Sequence, residues 1–439
     1  MGLGYQGVRV PPRVDWRYKW YLTLCGLGFL AITTEIVRVY LRHDLFGIWD
    51  FPLIFNYAES FLEKGVLYSS DPTLYKPSVP TGYPHPPLSP SLLIWAIRAG
   101  FSRWEIFTFL SFGHVLCYVL SIICCWFGGK ARHSWGGFFF VFFAAFCMAQ
   151  LMEYNLMMLL LDPLLLFIFC LSLFFLSKNN EFISGFFMGI GAMLKIYPAV
   201  FGIYFLATKR WSAIAGMVCA SVLCLALSVA VIGLHENWIY FTVGLPQQLK
   251  EYPYLFFYEN VSISSYMLYF NVLSPAHAKI FGSAVFFVLL FLSIVPSFRQ
   301  VSLLKEKNII VALDYACLTS LLILCMPNSW WNYQIHLLLS AVVVAIFIAK
   351  QDRPHYGIIL VWGYSLLSLA MTAALAADHT DIDYFVQMDS SMRMTYIVLR
   401  GVPTLLLFAL PFVIRWGIFL GKYSIDRDVK WQPALQLIS

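Results

Sequence analysis

The sequence predicts an all-α membrane protein, a bundle of helices that crosses the bilayer about ten times. Of its 439 residues, 60% are hydrophobic and only 12% are charged, whereas a soluble domain carries about 25% charged residues. Apolar runs of about twenty residues, enough for a helix to cross a hydrocarbon core of roughly 30 Å, recur from Leu22 to Leu420. These runs lack the alternating pattern of an outer-membrane barrel. Composition therefore excludes a soluble enzyme.

The charges around the first apolar run determine the predicted orientation. Arg13, Arg17 and Lys19 precede this run, and basic residues favour the cytoplasmic side, so we expect residues 22–37 to cross outward. No small-residue cleavage site follows, which indicates a retained span and not a secretory signal. Residues 38–87 then form the first extracytoplasmic loop.

The next two apolar segments are predicted as one short and one full membrane helix. Leu88 to Gly100 is too short for a full crossing at about 1.5 Å per residue, so we predict an embedded or interfacial half-helix. Trp104 to Phe127 crosses fully and ends before a basic turn at residues 130–133. The later crossings are predicted at residues 134–152, 156–176, 213–233, 281–295, 309–326, 335–349, 358–377 and 396–420.

The chain is predicted to form a single domain over residues 1–439, with both termini in the cytoplasm. Its other long hydrophilic segments are a middle extracytoplasmic loop at residues 235–280 and a cytoplasmic tail at residues 421–439. The ten cysteines all fall within apolar runs, so we expect neither disulfides nor a zinc site. The net charge of +6 comes from scattered basic residues, and it indicates membrane orientation and not a nucleic-acid partner.

One apolar run, from Phe182 to Lys209, is interrupted by Lys195-Ile-Tyr-Pro198. A proline and a charged residue at this depth both predict a break between two half-helices. A hairpin that rises from the cytoplasm and returns to Lys209 would place Lys195 near the outer leaflet surface. A lone cation there could meet a lipid phosphate, or it could be a snorkelling lysine without a ligand.

With this topology, the unusual polar residues collect on the extracytoplasmic side. The segments concerned are residues 38–87, 153–155, 195–198, 235–279, 327–336 and 378–393. In the first of them Asp50 precedes an amphipathic stretch, Phe51 to Glu63. A carboxylate at the membrane surface is well placed to act as general base on an acceptor hydroxyl. The alternative is a helix-capping aspartate.

Two further groups of polar residues are open to a structural or a functional interpretation. Glu153 and Asn155 lie just before a long apolar run and are either a polar pair at a helix start or a binding pair. Asp162 and Asp314 lie deeper in apolar runs, where a charge is costly unless it is paired or faces water. We predict structural roles for both, with partners that the sequence does not identify.

The segment Pro327-Asn-Ser-Trp-Trp-Asn-Tyr-Gln-Ile-His336 concentrates aromatic rings, amides and a histidine in one short turn. Flat apolar faces with hydrogen-bonding groups suit a sugar ring. An interfacial aromatic belt without a binding role gives the same composition.

In their order along the chain, these motifs resemble those of glycosyltransferase family 87. The likeness rests on Asp50 followed by Gly65, Tyr68, Tyr83 and Pro86-Pro87, on Met152-Glu153-Tyr154-Asn155, on Lys195-Ile-Tyr-Pro198 with Lys209-Arg210-Trp211, and on Asn260-Val-Ser262 and Pro327-Asn-Ser-Trp330-Trp-Asn332. Glu153 replaces a glutamine of the family pattern, and Asn332 stands where the family commonly has histidine. Tyr333 or His336 could compensate, since His336 lies about one helical turn away.

The resemblance implies a GT-C-type helical bundle with embedded half-helices and structured extracytoplasmic loops. It implies an inverting transferase that takes a hexosyl residue, most often mannosyl, from a polyprenyl-monophosphate donor and passes it to a glycolipid or glycan acceptor. We then expect Asp50 to be the base, with Lys195, His336 and Arg393 at the donor phosphate. The sugar and acceptor are expected to contact Tyr83, Glu153, Asn155, Asn260, Trp330, Asn332 and Tyr333.

No cofactor or metal is expected, and no nucleic acid. The expected location is a bacterial plasma membrane, which the chain crosses many times, with the active site facing outside. A transporter shares the many spans and broken helices, although inverted halves are not apparent in this sequence. An oligosaccharide ligase also handles polyprenyl-linked sugars, but its diphosphate donors call for more external arginine. A scaffold protein would leave the one-sided motifs unexplained.

Overall fold

The structure, a computed structural model, describes residues 50–71, 85–128, 135–158, 161–251, 260–299, 308–326, 329, 331–350, 355–377 and 390–423. Within these ranges all regular structure is helical, as predicted. In chain order α1 to α16 are Asp50–Lys64, Leu88–Arg98, Arg103–Gly128, Trp135–Met158, Asp162–Ser177, Glu181–Leu194, Phe201–Ala207, Trp211–Ile232, Leu234–Ile239, Leu245–Glu251, Ile263–Tyr269, Pro275–Arg299, Asn308–Cys325, Leu337–Lys350, Tyr356–Ala377 and Ser390–Phe419. Short 3-10 turns occupy Tyr197–Val200 and Trp331–His336, and a π-helical turn occupies Tyr240–Gly244.

Five of the described helices are long and apolar enough to cross a membrane. They are α3, α8, α12, α13 and residues 398–419 of α16. These spans indicate an integral membrane protein. The total of about ten crossings stays a prediction.

Helix α2 has the length of the predicted half-helix. Its 11 residues extend about 16 Å, roughly half of a hydrocarbon core. The Oγ atoms of Ser91 on α2 and Ser228 on α8 lie 3.0 Å apart, and Arg98 donates to the carbonyl of Val231 at 2.9 Å. Helix α2 therefore packs along the C-terminal part of α8.

The predicted break at Lys195-Ile-Tyr-Pro198 is confirmed. Helix α6 ends at Leu194, which is the residue whose carbonyl the ring of Pro198 would meet if the helix continued. Lys195 adopts an extended conformation, and Pro198 is the second residue of the short turn that leads into α7. Proline therefore determines where the helix stops.

The predicted boundaries of several loops are wrong, because helices continue past the apolar residues. Helix α4 extends to Met158, so Glu153 and Asn155 lie in its last turns and not in a loop. Asp162 begins α5 and is not deep within a run. Arg393 lies in the first turn of α16. Hydropathy detects only the part of a helix that lies in hydrocarbon, whereas polar end turns remain helical in the headgroup region.

Helices α6 and α8 run parallel and in close backbone contact. A Cβ atom on Gly185 would overlap the carbonyl of Ala213, and one on Gly216 would overlap the carbonyl of Phe182. Small residues allow such an approach between membrane helices. From the register set by Gly185 and Ala213, α6 ends about ten residues, or roughly 15 Å, before α8 does. The end of α6 is thus recessed within the bundle.

A second apolar cluster covers one end of this bundle. It joins α1, α2 and the start of α3 to the end of α8 and to α9, through Phe55, Phe61, Ile94, Phe107 and Ile239. We call this the loop end of the bundle. Parts of two predicted loops meet there: residues 65–71 and 85–87 of the first loop, and residues 235–251 of the middle loop.

Asp314 and Arg415 form a buried ion pair in the main core. Arg415 Nε donates to Asp314 Oδ1 at 2.8 Å, and Ser297 and Tyr204 also donate to Asp314. Ser297 lies near the last residue of α12, Arg299. Since α12 follows the predicted middle loop, we expect this pair to lie towards the opposite end of the bundle. Asp314 thus has a basic partner and hydroxyl partners, as an ionisable group in an apolar run requires.

Candidate functional site

A buried carboxylate ties the first loop to α9 at the loop end. Glu236 accepts hydrogen bonds from the backbone N–H groups of Leu67 and Tyr68 at 2.9 and 2.7 Å. The hydroxyl of Tyr68 donates to the carbonyl of His85 at 2.7 Å. The segment before α2 is thereby held in place through Tyr68.

The segment at residues 260–262 and the segment that contains Ser329 also meet. The N–H of Val261 donates to the carbonyl of Ser329 at 2.6 Å. The side chain of Asn260 is buried, and its Oδ1 accepts from the N–H of Ser262 at 2.9 Å. Asn260 therefore stabilises the conformation of residues 260–262, which hydrogen-bond to Ser329.

The centre of the candidate site is a buried group that we call the Asp162 cluster: Asp162, Lys195, Tyr197, Tyr333 and His336. Lys195 Nζ donates to Asp162 Oδ1 at 2.9 Å and lies 3.9 Å from the ring centroid of Tyr333. His336 Nε2 lies 3.2 Å from the same carboxylate oxygen. Asp162 and His336 are 0% exposed and Lys195 is 7% exposed. Buried charges of this kind are stable only when paired.

Helix ends explain why these charges meet. Asp162 is in the first turn of α5, followed by Pro163, and Lys195 follows the last residue of α6. A carboxylate is favoured at a helix N-terminus and an ammonium at a C-terminus. The two helices are antiparallel neighbours joined by the turn at residues 178–180, so the two favourable ends lie side by side.

Two aromatic side chains hold the imidazole of His336. The hydroxyl of Tyr197 lies 2.9 Å from His336 Nε2, and the ring of Phe169 packs edge-on at 5.5 Å between centroids. Nδ1 of His336 is buried and has no hydrogen-bond partner among the described residues. Nε2 of the imidazole therefore has two close polar partners, Tyr197 and Asp162, whereas Nδ1 has none among the described residues.

His85 lies near the Asp162 cluster. Burial and, to a smaller extent, the Lys195 ammonium lower the pKa of His85 to about 4, and the Asp162 carboxylate partly opposes this shift. The imidazole of His85 is therefore uncharged at neutral pH. It adds a polar ring, and not a positive charge, to this end of the bundle.

The Lys195 ammonium is not the lone charge that the sequence predicted. It shares the carboxylate of Asp162 with His336. This is possible because α5 begins at Asp162, at the same level at which α6 ends before Lys195. Any anion that approaches Lys195 also meets this carboxylate. The Asp162 cluster carries no net charge when His336 is neutral.

The structure unites three of the predicted site residues, Lys195, Tyr333 and His336, in this cluster. Asn155 is buried in α4 and donates from Nδ2 to the carbonyl of Leu151 at 2.8 Å. Asp50, Glu153, Asn332 and Arg393 lie in described helices or turns, but their side chains are outside the described part of the chain, as are Tyr83 and Trp330 entirely.

Three residues of the site were not predicted as such: Asp162, Tyr197 and His85. The pair Asp162-Pro163 is a helix-start signal that could have placed the carboxylate at a helix end. Tyr197 is part of the quoted Lys195-Ile-Tyr-Pro198 motif, and His85 lies between the quoted Tyr83 and Pro86, but neither was given a role. Within the described residues no group of three or more His, Cys, Asp or Glu side chains is placed to hold a metal ion.

The comparison with protein families identifies a family to which the chain belongs. The model of glycosyltransferase family 87 matches residues 83–327, more than half of the 439 residues. The matched range begins two residues before His85 and includes Asp162 and Lys195. No curated protein and no solved structure matches the chain.

Proposed function

The chain belongs to glycosyltransferase family 87, and from this premise we propose that it transfers a hexosyl residue, with mannosyl as the first candidate, from a polyprenyl-monophosphate donor. The proposed acceptor is a glycolipid or glycan at the extracytoplasmic face of a bacterial plasma membrane. The observation that carries the proposal is the Asp162 cluster. It places a buried ammonium and an imidazole at the end of the bundle where the motif-bearing loops meet.

The proposed reaction is a single displacement with inversion. Asp50 accepts the proton of the acceptor hydroxyl while that oxygen forms a bond to the anomeric carbon. The bond between this carbon and the phosphate oxygen breaks, and polyprenyl phosphate leaves with the electron pair. Negative charge develops on the leaving phosphate, which is where a preorganised cation contributes most. Lys195, His336 and Arg393 are the proposed phosphate ligands.

The recess of the site supports a lipid-linked donor. Lys195 follows the end of α6, roughly 15 Å below the end of α8 by helical rise. A phosphate at that level is reached by a lipid whose tail lies between the helices, and the tail need not leave the bilayer. Exposed apolar side chains on α8, such as Val222 and Leu223, provide a lipid-facing surface next to this level.

The aromatic side of the cluster supports a sugar as the transferred group. Tyr333 and Tyr197 face each other at 6.2 Å between ring centroids, close to the ammonium of Lys195. Tyrosine rings offer flat apolar surface together with a hydroxyl. Tyr333, Asn155 and Asn260 remain proposed sugar and acceptor ligands, together with Tyr83, Glu153, Trp330 and Asn332.

Membership of a glycosyltransferase family favours this proposal over a transporter. An oligosaccharide ligase would have to bind a diphosphate. The positive charge of Lys195 is already balanced by Asp162, so the cluster offers little positive charge for a second phosphate. A monophosphate donor fits it better.

The direct test uses purified protein with radiolabelled polyprenyl-phosphate mannose and candidate glycolipid acceptors. The proposal predicts a labelled glycolipid with inverted anomeric configuration. The matched variants are Lys195→Met, at the proposed site, and Asp314→Asn, in the distant ion pair. Lys195→Met should raise the donor concentration needed for half-maximal rate, and Asp314→Asn should not. An equal dependence on donor concentration in both variants would contradict the assigned site.

A further inference from the structure

The protonation state of His336 follows from its neighbours. Asp162 also accepts from the Lys195 ammonium at 2.9 Å, which keeps the carboxylate ionised. Two groups lie at His336 Nε2: the Asp162 carboxylate at 3.2 Å, which can only accept, and the Tyr197 hydroxyl at 2.9 Å. Because the Tyr197 hydroxyl also hydrogen-bonds to Asp162, we assign its proton to the carboxylate and a proton to Nε2. In the neutral ring the remaining lone pair is then on Nδ1.

Nδ1 is the nitrogen that remains available to a ligand. It is buried and lacks a hydrogen-bond partner among the described residues. A buried polar atom left in this way costs about 1–3 kcal/mol, and such atoms call for a specific explanation. A bound ligand that supplies the missing partner is one.

A phosphodiester cannot be this ligand while the ring is neutral. Its oxygens are negative and accept hydrogen bonds only, so they would be repelled by the lone pair on Nδ1. When Nδ1 carries a proton, the imidazolium donates to Asp162 through Nε2 and to the phosphate through Nδ1. The charge of the Asp162 cluster changes from zero to one positive charge, which matches the single negative charge of a phosphodiester.

We propose that the donor phosphodiester binds together with one proton, which is taken up at Nδ1 of His336. This inference rests on the proposed function, because it assigns a phosphodiester lipid to the Asp162 cluster. His336 is fully buried, so binding includes a local displacement of the chain around Nδ1. During transfer the same N–H donates to the phosphate oxygen on which negative charge develops.

Other titratable groups face His336 from the elements packed around it. They are Asp162 on α5, Lys195 after α6, Tyr197 in the following turn and, near Lys195 and Asp162, His85. Helix α4, which also packs against the Trp331–His336 turn, carries Glu153. Asp162 and Lys195 are held charged by each other. Burial lowers the pKa of His85 to about 4, so its imidazole is uncharged at pH 7.5.

Binding calorimetry on the purified full-length protein tests the proposal. The probe is farnesyl methyl phosphate, a phosphodiester that lacks a sugar and stays singly charged over the whole working range of pH. Titrations at pH 7.5 in HEPES and in Tris buffer, whose ionisation enthalpies differ, give the number of protons taken up. We expect about one proton per bound diester. Intact binding with no proton uptake, or no binding at all, would overturn the proposal.

Two replacements of His336 separate its two nitrogens. In His336→Gln, the amide nitrogen can occupy the position of Nε2 and retain the contact with Asp162, whereas nothing stands at Nδ1. In His336→Asn, the amide reaches the position of Nδ1 and does not titrate. We expect at least tenfold weaker binding without proton uptake in His336→Gln. His336→Asn should bind more tightly than His336→Gln, also without proton uptake.

His277→Gln, at an exposed histidine that hydrogen-bonds to Ser274 outside the Asp162 cluster, is the matched control and should bind the diester and take up protons as the wild type does. His85→Gln and Glu153→Gln test the other titratable side chains, and both should still take up about one proton per bound diester. Loss of uptake in either of these two variants, with uptake retained in His336→Gln, would assign the proton elsewhere and refute the inference. The proposed function has a separate test, the transfer assay, and it is refuted if no polyprenyl-phosphate sugar supports transfer. Diester binding with proton uptake at His336 can be observed whether or not transfer occurs.

Discussion

Asp162→Asn is the substitution with the largest expected consequence for the candidate site. It preserves the shape of the side chain and removes one negative charge. Lys195 would then be a buried ammonium, 7% exposed, without the carboxylate that now lies 2.9 Å away. Removing one partner of a buried ion pair costs about 3–5 kcal/mol. His336 loses its acceptor in the same step, so the upper part of this range is expected.

The assay is reversible unfolding by SDS in mixed micelles, which gives a free energy of unfolding. Asp162→Asn should lower this free energy by about 3–5 kcal/mol. The double variant Asp162→Asn/Lys195→Met removes both charges and should recover at least about 2 kcal/mol of the loss, as coupled neighbours do. A single variant within about 1 kcal/mol of the wild type, or strictly additive losses, would refute the pairing of these two residues.

Asp314→Asn is the matched control for activity. It makes the same chemical change in the other buried ion pair, where Arg415 lies 2.8 Å from Asp314 and both side chains are 1% exposed. Both variants should lose stability to a similar extent. Only Asp162→Asn should lose transfer activity when rates are divided by the amount of folded protein. An equal loss of specific activity would show that the effect is one of stability alone.

Three further predictions address the base, the helix contact and the pH dependence. Asp50→Asn should lower the transfer rate by about 100-fold or more while elution and unfolding stay unchanged, and retained turnover would remove Asp50 as the base. Gly185→Val should destabilise the protein by more than about 2 kcal/mol, since its side chain would overlap the carbonyl of Ala213, whereas Gly113→Val on an open helix face should not. Because the pKa of His85 falls from its ordinary 6.5 to about 4 in the folded chain, the stability that neutral His85 contributes is complete above pH 6.5 and is lost as pH falls to 4. Unfolding at a series of pH values should show a smaller loss over this window in His85→Gln, and identical curves would contradict the assignment.

The break after α6 could be predicted from the sequence because one residue determines it. Pro198 cannot continue a helix past Leu194 whatever surrounds it, and Lys195 is an unusual residue at that depth. An effect of this kind depends only on residues that are neighbours in the sequence, so the sequence alone can predict it. The apolar cores of α3, α8 and α13 were predicted for the same reason.

The partner of Lys195 could not be predicted in that way. Asp162 is separated from it by an entire helical hairpin, and its distance to Lys195 depends on where α4 ends and α5 begins. Hydropathy placed that boundary several residues too early, in front of Leu156, since polar residues such as Glu153 look like a loop. The helix continues through them because its backbone hydrogen bonds do not depend on side-chain polarity. An ion pair between residues on different helices can therefore be identified only once the packing of those helices is known.

The double acceptor at Glu236 has a consequence for the dynamics of the first loop. Two successive amide groups, those of Leu67 and Tyr68, donate to one carboxylate oxygen, so neither can exchange its hydrogen with solvent unless the loop separates from α9. The exchange rates of these two amides should consequently rise and fall together. Deuterium uptake at this dipeptide, with and without donor, would measure how often the first loop separates from α9.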